Sequence, residues 1–157
     1  MKRFVISILA AFSLTGPAAA DIDLAAFDAC VAARIESDTP AADCVHAAHA
    51  TCMSFDPEHE AASATLCFVN AKDGWSEGIR TQLAKITASA EENIAAIAGI
   101  EVKYDLLANL LQCDRMNELA RLTETPGAMV SLQKARCEAT ASGLALTKLV
   151  LQSRNLP

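Results

Sequence analysis

The sequence predicts an all-α fold, a small helical bundle of four to five helices stapled by three disulfides. Only 4% of its 157 residues are aromatic, alanine is abundant and β-branched runs are scarce, which favours helices over strands. Six cysteines and a long series of apolar residues at spacings of three and four support this fold. No internal repeat or linker divides the chain.

The first twenty residues are typical of a secretory signal peptide. Lys2 and Arg3 precede the apolar residues 4–14, and the small residues Ala18–Ala20 provide a cleavage site. The apolar run is too short for a transmembrane anchor, and a lipoprotein would need a cysteine directly after the cleavage site, whereas the first is Cys30. We therefore expect a bacterial protein exported to the periplasm or secreted.

The expected organisation is a signal peptide over residues 1–20 and a single helical domain over residues 21–157. Loss of Lys2 and Arg3 with the leader would move the formal net charge from −6 to −8. This charge disfavours nucleic acid and anionic lipid, so we expect neither nucleic-acid binding nor membrane association after cleavage. It favours a cationic partner through electrostatic steering, and it also keeps a protein soluble.

The first two helices are predicted from the residues at their ends. Asp23 can cap a helix that runs to about Glu36. Thr39 as the N-cap and Pro40 as the first helical residue predict a second helix, which runs to about Met53.

The longest periodic signal predicts a third helix, with Ser63 as a plausible cap. Its apolar residues form one stripe at spacings of three and four. The stripe comprises Ile79, Leu83, Ile86, Ala90, Ile94, Ile97, Ile100, Tyr104, Leu107 and Leu111. Gly99 interrupts it without cap signals, so the helix could continue, kink or turn back there.

A last helix is predicted from about Ala128 to Ser153, after the stop signal at 123–127. Its inward positions include Leu132 and Leu149. Lys134 and Glu138 are expected to form an exposed pair on it, four residues apart.

The cysteines are expected to form disulfides within helical hairpins. They are Cys30, Cys44, Cys52, Cys67, Cys113 and Cys137. The absence of CxxC and CxxCH argues against a thioredoxin-type redox site and covalent haem, and the wide spacings do not match zinc sites. Each successive pair flanks a predicted turn, and antiparallel helices bring such flanking positions within disulfide distance. We therefore predict the pairs 30–44, 52–67 and 113–137.

Three histidines offer a metal-binding alternative. His46 and His49 are three residues apart on the second predicted helix, and His59 is nearby in sequence. The sequence contains no GxSxG, HExxH or glycine-rich phosphate loop, and oxidation would consume every thiol. We therefore expect no enzymatic activity and no cofactor.

The polar stretch 54–63 is the candidate recognition element. It carries Asp56, Glu58, His59 and Glu60, and it lies between two predicted disulfide positions. A loop held in this way loses little entropy on binding, although it could equally be a plain connector. Trp75, two helical turns after Cys67, is expected to pack in the core beside the disulfides, with a binding role as the alternative.

The spacing from Cys30 through Cys44, Cys52 and Cys67 to Trp75 resembles the N-terminal domain of the LprI-type lysozyme inhibitors, which are small exported proteins of bacteria. The resemblance extends over about residues 28–153. It includes Cys113, which stands where the family places a cysteine after an Arg-Asp pair, and the segments Gly127-Ala128-Met129 and Ala135-Arg136-Cys137. Signature polar or aromatic residues of the family are replaced here by Ala71, Ser76, Ile79-Arg80, Leu83, Val102 and Asp105.

The resemblance implies a helical fold and inhibition of lysozyme-type muramidases. An acidic protein facing a strongly basic enzyme is electrostatically reasonable. We therefore expect an exported binding protein whose partner is a cationic protein such as lysozyme. The alternative is a structural or envelope-stress protein without an enzyme target.

Overall fold

The computed structural model describes residues 21–154, so the predicted signal peptide over residues 1–20 lies outside the described residues. The described part is all-α, as predicted, and contains six helices rather than four or five. They are α1 (Leu24–Glu36), α2 (Asp43–Ala48), α3 (Ala50–Met53), α4 (Ala61–Ser89), α5 (Glu92–Ala120) and α6 (Gly127–Ser153). None of these helices is long and apolar enough to cross a bilayer.

Helix α6 is the centre of the bundle. It packs along both α4 and α5, whereas α4 and α5 make few contacts with each other. Twelve residues of α6 are buried, but only Val102 and Cys113 of α5 are. Helix α1 packs against α4 and helix α2 packs against α6, whereas α5 is a peripheral helix attached mainly to α6.

The main core is built around Trp75, which is fully buried on α4. Phe27 of α1 packs edge-on against its ring, with centroids 4.9 Å apart. A Cβ atom added at Gly143 of α6 would lie 2.6 Å from Val45 Cγ1 and 3.0 Å from Trp75 Cε2. Glycine at this position therefore lets α6 approach the tryptophan and α2 closely.

The three disulfides have the predicted pairing, and each closes one helical hairpin. Their Cα atoms are 5.8 Å apart in Cys30–Cys44, 5.4 Å in Cys52–Cys67 and 5.7 Å in Cys113–Cys137. These bonds link α1 to α2, α3 to α4 and α5 to α6. Trp75 shares its core cluster with Cys44, which agrees with its predicted place beside a disulfide.

The predicted second helix is wrong in two respects. It begins at Asp43, and Ala42 at its N-cap makes no side-chain cap. Thr39 instead closes α1: its backbone N–H donates to the Arg34 carbonyl, 2.9 Å away, and Asp38 takes a left-handed conformation. The helix also breaks at His49, which separates α2 from α3 and directs its ring into the core.

The predicted third helix is two antiparallel helices. The first of them, α4, begins at Ala61 with Glu60 as its N-cap, so Ser63 lies within the first turn. The chain reverses at Ala90–Glu91, and α5 continues through Gly99 without a break. An acidic residue at the start of α5, Glu92, suits the positive end of the helix dipole.

We predict opposite effects for alanine at two glycines inside long helices. Gly143→Ala should lower the free energy of unfolding by about 1–3 kcal/mol, because its methyl group overlaps Val45 and the Trp75 ring. Gly99→Ala should raise it by about 0.5–1 kcal/mol, because its Cβ would meet no atom within 4 Å. Urea unfolding of the oxidised proteins measures both changes. Equal effects at the two positions would contradict the packing of α6 described here.

Candidate functional site

The predicted recognition element is a loop of seven residues, Ser54–Glu60, which we call the acidic loop. It joins α3 to α4, and the Cys52–Cys67 disulfide closes it at its base. Phe55 is half-buried against the second core cluster, which includes Phe68 and Leu132. The loop is therefore fixed to the bundle by a covalent bond and by an apolar anchor.

A set of internal hydrogen bonds gives the acidic loop a defined shape. The Asp56 carboxylate accepts from the Glu58 backbone N–H at 2.9 Å, and its other oxygen lies 2.7 Å from His59 Nδ1. The Glu60 carboxylate accepts from the Asp56 backbone N–H at 3.0 Å, while the Glu60 N–H donates to the Asp56 carbonyl. These contacts connect both ends of a single tight turn.

The charged side chains of the acidic loop point to solvent. Asp56, Glu58, His59 and Glu60 are all exposed. The hydrogen bonds from His59 and from the Glu58 N–H hold the pKa of Asp56 below its ordinary value. The loop therefore presents the carboxylates of Asp56, Glu58 and Glu60 to solvent, and Glu58 makes no side-chain hydrogen bond or ion pair among the described residues.

The three histidines of the metal-binding alternative have different environments. His46 is exposed on α2, His59 is bound to Asp56 in the loop, and His49 is buried. Within residues 21–154 no three His, Cys, Asp or Glu side chains converge as a metal site would require. The spacing of His46 and His49 has a structural explanation instead, because His49 belongs to the core.

The buried His49 ring accepts the hydrogen bond of the Trp75 indole. Trp75 Nε1 lies 2.9 Å from His49 Nε2, so the neutral imidazole carries its proton on Nδ1. Burial, together with the smaller effects of the charges of His46 and Arg136, lowers the pKa of His49 to about 4. A proton on Nε2 would put two donors face to face, so the folded protein keeps this ring neutral.

A concave surface lies between α2, α5 and α6, apart from the acidic loop. It is a groove of about 510 Å³ beside the Cys113–Cys137 disulfide, with Met116 and Leu144 at its edges and His46 and Arg136 nearby. The side chains of His46 and Arg136 are exposed, and the groove is open to solvent. It lacks the enclosure of a small-molecule site.

The predicted exposed pair Lys134–Glu138 is part of a larger network. Glu138 is mostly shielded from solvent and accepts a 2.8 Å hydrogen bond from Lys72 on α4. Lys134 lies 3.6 Å from Glu138 and donates to Asp114 on α5 at 2.6 Å. The network therefore connects all three long helices, which sequence spacing could not reveal because Lys72 and Asp114 are distant along the chain.

The structure confirms the pairing of the six predicted cysteines, and it places the four predicted loop residues together on one turn. Sequence reasoning could not identify Phe55 as the anchor of that turn, because a single aromatic residue in a polar stretch has no periodicity. Comparisons of this chain with protein-family models, with curated proteins and with solved structures found no match.

We predict that His49 makes stability depend on pH. The unfolded chain takes up a proton near pH 6.5, whereas folded His49 does not until about pH 4. Its contribution is therefore fully present above pH 6.5 and decreases as pH falls through this window, by about 3 kcal/mol in total. Urea unfolding at intervals from pH 7.5 to pH 4 should show this decrease.

Two glutamine variants isolate the contribution of His49. His49→Gln keeps an acceptor for the indole but does not titrate, so its stability should fall less steeply with acid than that of the parent. His46→Gln removes an exposed histidine whose charge lowers the pKa of His49 less than burial does, so it should flatten the slope much less than His49→Gln. An equally steep decrease in the free energy of unfolding for the parent and His49→Gln would show that this ring is not held neutral.

Proposed function

We propose that this chain is an exported binding protein without catalytic activity, and that it uses the acidic loop to dock a cationic protein of the lysozyme type. The observation that carries the proposal is the fixed, exposed turn with three carboxylates, Asp56, Glu58 and Glu60. The three disulfides are compatible with export, because such bonds persist in oxidising compartments.

Preorganisation favours binding through this loop. Ordering a loop and its side chains on association costs free energy, roughly 0.5–1.5 kcal/mol for each immobilised long side chain. Here the Cys52–Cys67 bond, the Phe55 anchor and the Asp56–His59 pair already fix the backbone. Contacts with a partner would therefore be opposed by a smaller entropy loss than in a flexible acidic segment.

Charge supports a cationic partner. The chain has a formal net charge of −6, and three of its acidic residues are concentrated in the loop. Complementary charge raises the association rate with a basic protein and makes it depend on ionic strength. A muramidase of strongly basic character fits this surface, whereas nucleic acid and anionic lipid do not.

The resemblance to LprI-type inhibitors supports the same class of partner. Most replaced signature positions lie on α4, away from the acidic loop. Ala71 and Ile79 are buried in the core, whereas Ser76 and Arg80 are exposed on the helix surface. These replacements alter the packing and surface of α4 and leave the loop carboxylates in place.

We predict that residues 21–157, purified with their disulfides intact, will slow lysis of bacterial cell walls by a basic lysozyme. The slowing should weaken as salt increases, because exposed charges contribute to the contact. Following turbidity at increasing molar ratios measures the effect. Undiminished lysis at a large molar excess and low salt would refute the proposed target.

Matched variants test whether the acidic loop makes the contact. Glu58→Gln removes a charge that no bond within the loop uses, and it should weaken inhibition roughly two- to fivefold. Glu36→Gln removes an equally exposed charge at the end of α1 and should have little effect. Equal weakening by both variants would indicate a general charge effect rather than a docking site.

The disulfides provide a second matched comparison. Cys52→Ser with Cys67→Ser opens the loop, whereas Cys30→Ser with Cys44→Ser opens a neighbouring hairpin of nearly equal length. Both pairs should cost about 3 kcal/mol of stability. Only the first should also weaken inhibition, because only that bond fixes the acidic loop.

A further inference from the structure

The outward side of α5 carries a row of large apolar side chains, which we call the outer stripe. Its members are half to two-thirds exposed: Ile97 55%, Ile100 54%, Tyr104 64%, Leu107 48% and Leu111 63%. They belong to the periodic series that the sequence predicts for a single amphipathic helix. The α4 part of that series contains the buried Ile79 and Ile86, whereas most of the α5 part faces solvent.

Helix α5 does not need the outer stripe for its own attachment. Its inner side contains Val102 and Cys113, the two buried residues. On the same side Ala95, Ala98 and Leu106 pack against the main core. The Cys113–Cys137 bond and the hydrogen bonds from Lys148 to Asp105 at 2.6 Å and from Gln152 to Glu101 at 2.8 Å add covalent and polar contacts with α6. The helix is therefore apolar on two opposite sides, and only one of them contacts the described bundle.

The spacing of the outer stripe indicates what kind of surface fits it. Its residues follow one another at intervals of three, four, three and four, which is the a/d spacing of a coiled-coil seam. Such a seam packs best against another helix with the same spacing, because each side chain enters a gap between four side chains of its partner. Helix α5 of a second copy has this spacing.

We propose that the outer stripe is a homodimer interface in which the α5 helices of two copies pack antiparallel. A contact of this kind is isologous, so one stripe supplies both halves of the interface. The proposal concerns assembly and does not rest on the binding function of the acidic loop. Helices α4 and α5 are antiparallel, so the acidic loop, which precedes α4, lies at the same end of the bundle as the C-terminus of α5. An antiparallel pair therefore places the two acidic loops toward opposite ends of the dimer.

Charge at the ends of α5 favours the antiparallel direction. Glu91 and Glu92 are exposed at its N-terminal end, and Arg115 and Arg121 are exposed toward its C-terminal end. A parallel pair would place each of these charges beside the same residue, with the same charge, of the other copy. The antiparallel pair sets Glu92 of one copy near Arg121 of the other.

The register agrees with this pairing. The outer stripe is centred on Tyr104, and the midpoint between Glu92 and Arg121 lies between Leu106 and Leu107, less than one helical turn away. A two-fold axis between Asp105 and Leu106 sets Tyr104 opposite Leu107 and Ile100 opposite Leu111 of the other copy. The same axis brings Glu92 within about two residues of Arg121 of the other copy. Glu118, on the line of the stripe, then lies near the neutral Asn93 of the other copy.

The area of the outer stripe suits a weak dimer. Half of a leucine, isoleucine or tyrosine side chain offers on the order of 100 Å² of surface, so five offer about 500 Å² per copy. The two copies together would bury about 1,000 Å², which is near the lower limit for specific interfaces. We therefore expect a monomer–dimer equilibrium in the micromolar range rather than a permanent dimer.

Sedimentation of the oxidised residues 21–157 from about 1 µM to about 200 µM should show this equilibrium. Leu107→Glu places a charge in the seam and should raise the dimer Kd more than about tenfold. Leu66→Glu alters an equally apolar side chain, 61% exposed on α4, and should leave the Kd unchanged. Circular dichroism confirms that both variants keep the helical fold.

A charge exchange tests the direction of packing. Glu92→Arg alone and Arg121→Glu alone should each weaken the dimer, and the double variant should restore it. A parental protein that stays monomeric over the whole range, or a dimer that Leu107→Glu leaves intact, would overturn the proposal. Failure of the double variant to restore association would overturn the antiparallel arrangement. None of these outcomes depends on whether lysozyme is inhibited.

Discussion

The hydrogen bond from the Trp75 indole to His49 is the interaction on which the rest of the structure depends. Burying the largest side chain of the chain requires an acceptor for its N–H, because an unsatisfied donor in a dry core costs about 1–3 kcal/mol. His49 supplies that acceptor from the break between α2 and α3. Phe27 of α1 packs against the indole ring, and Gly143 allows α6 to approach it closely. Four parts of the chain therefore meet at one indole.

This core explains where interaction surfaces are found. Packing is concentrated between α4 and α6. Disulfides attach α3 to α4 and α5 to α6, and a third joins α1 to α2. The acidic loop and α5 are consequently peripheral, and neither contributes many side chains to the core. A rigid centre with disulfide-linked edges can present a charged turn and an apolar helix side without losing stability, which is consistent with the proposed binding function.

The all-α class, the disulfide pairing and the limits of α1 and α6 could be predicted because each depends on local signals. Asp23 caps α1, and hairpin geometry brings flanking cysteines together. The start of the second helix was misplaced because Thr39 and Pro40 are a strong start signal. The break at His49 could not be predicted because its cause, the hydrogen bond from Trp75, joins residues far apart in the sequence. The exposure of most of the stripe on α5 was missed because periodicity shows that a helix has an apolar side but not what covers it. The Glu138 network joins residues far apart in sequence.

Hydrogen exchange at the indole N–H tests the central claim most directly. The chain has one tryptophan, so a nitrogen-15-labelled sample gives a single indole signal in an NMR spectrum. If Trp75 donates to His49 in a closed core, this proton exchanges only through global unfolding, with a protection equal to that of the slowest backbone amides. An indole proton that exchanges as fast as one in a short peptide, while α4 and α6 remain protected, would contradict the account.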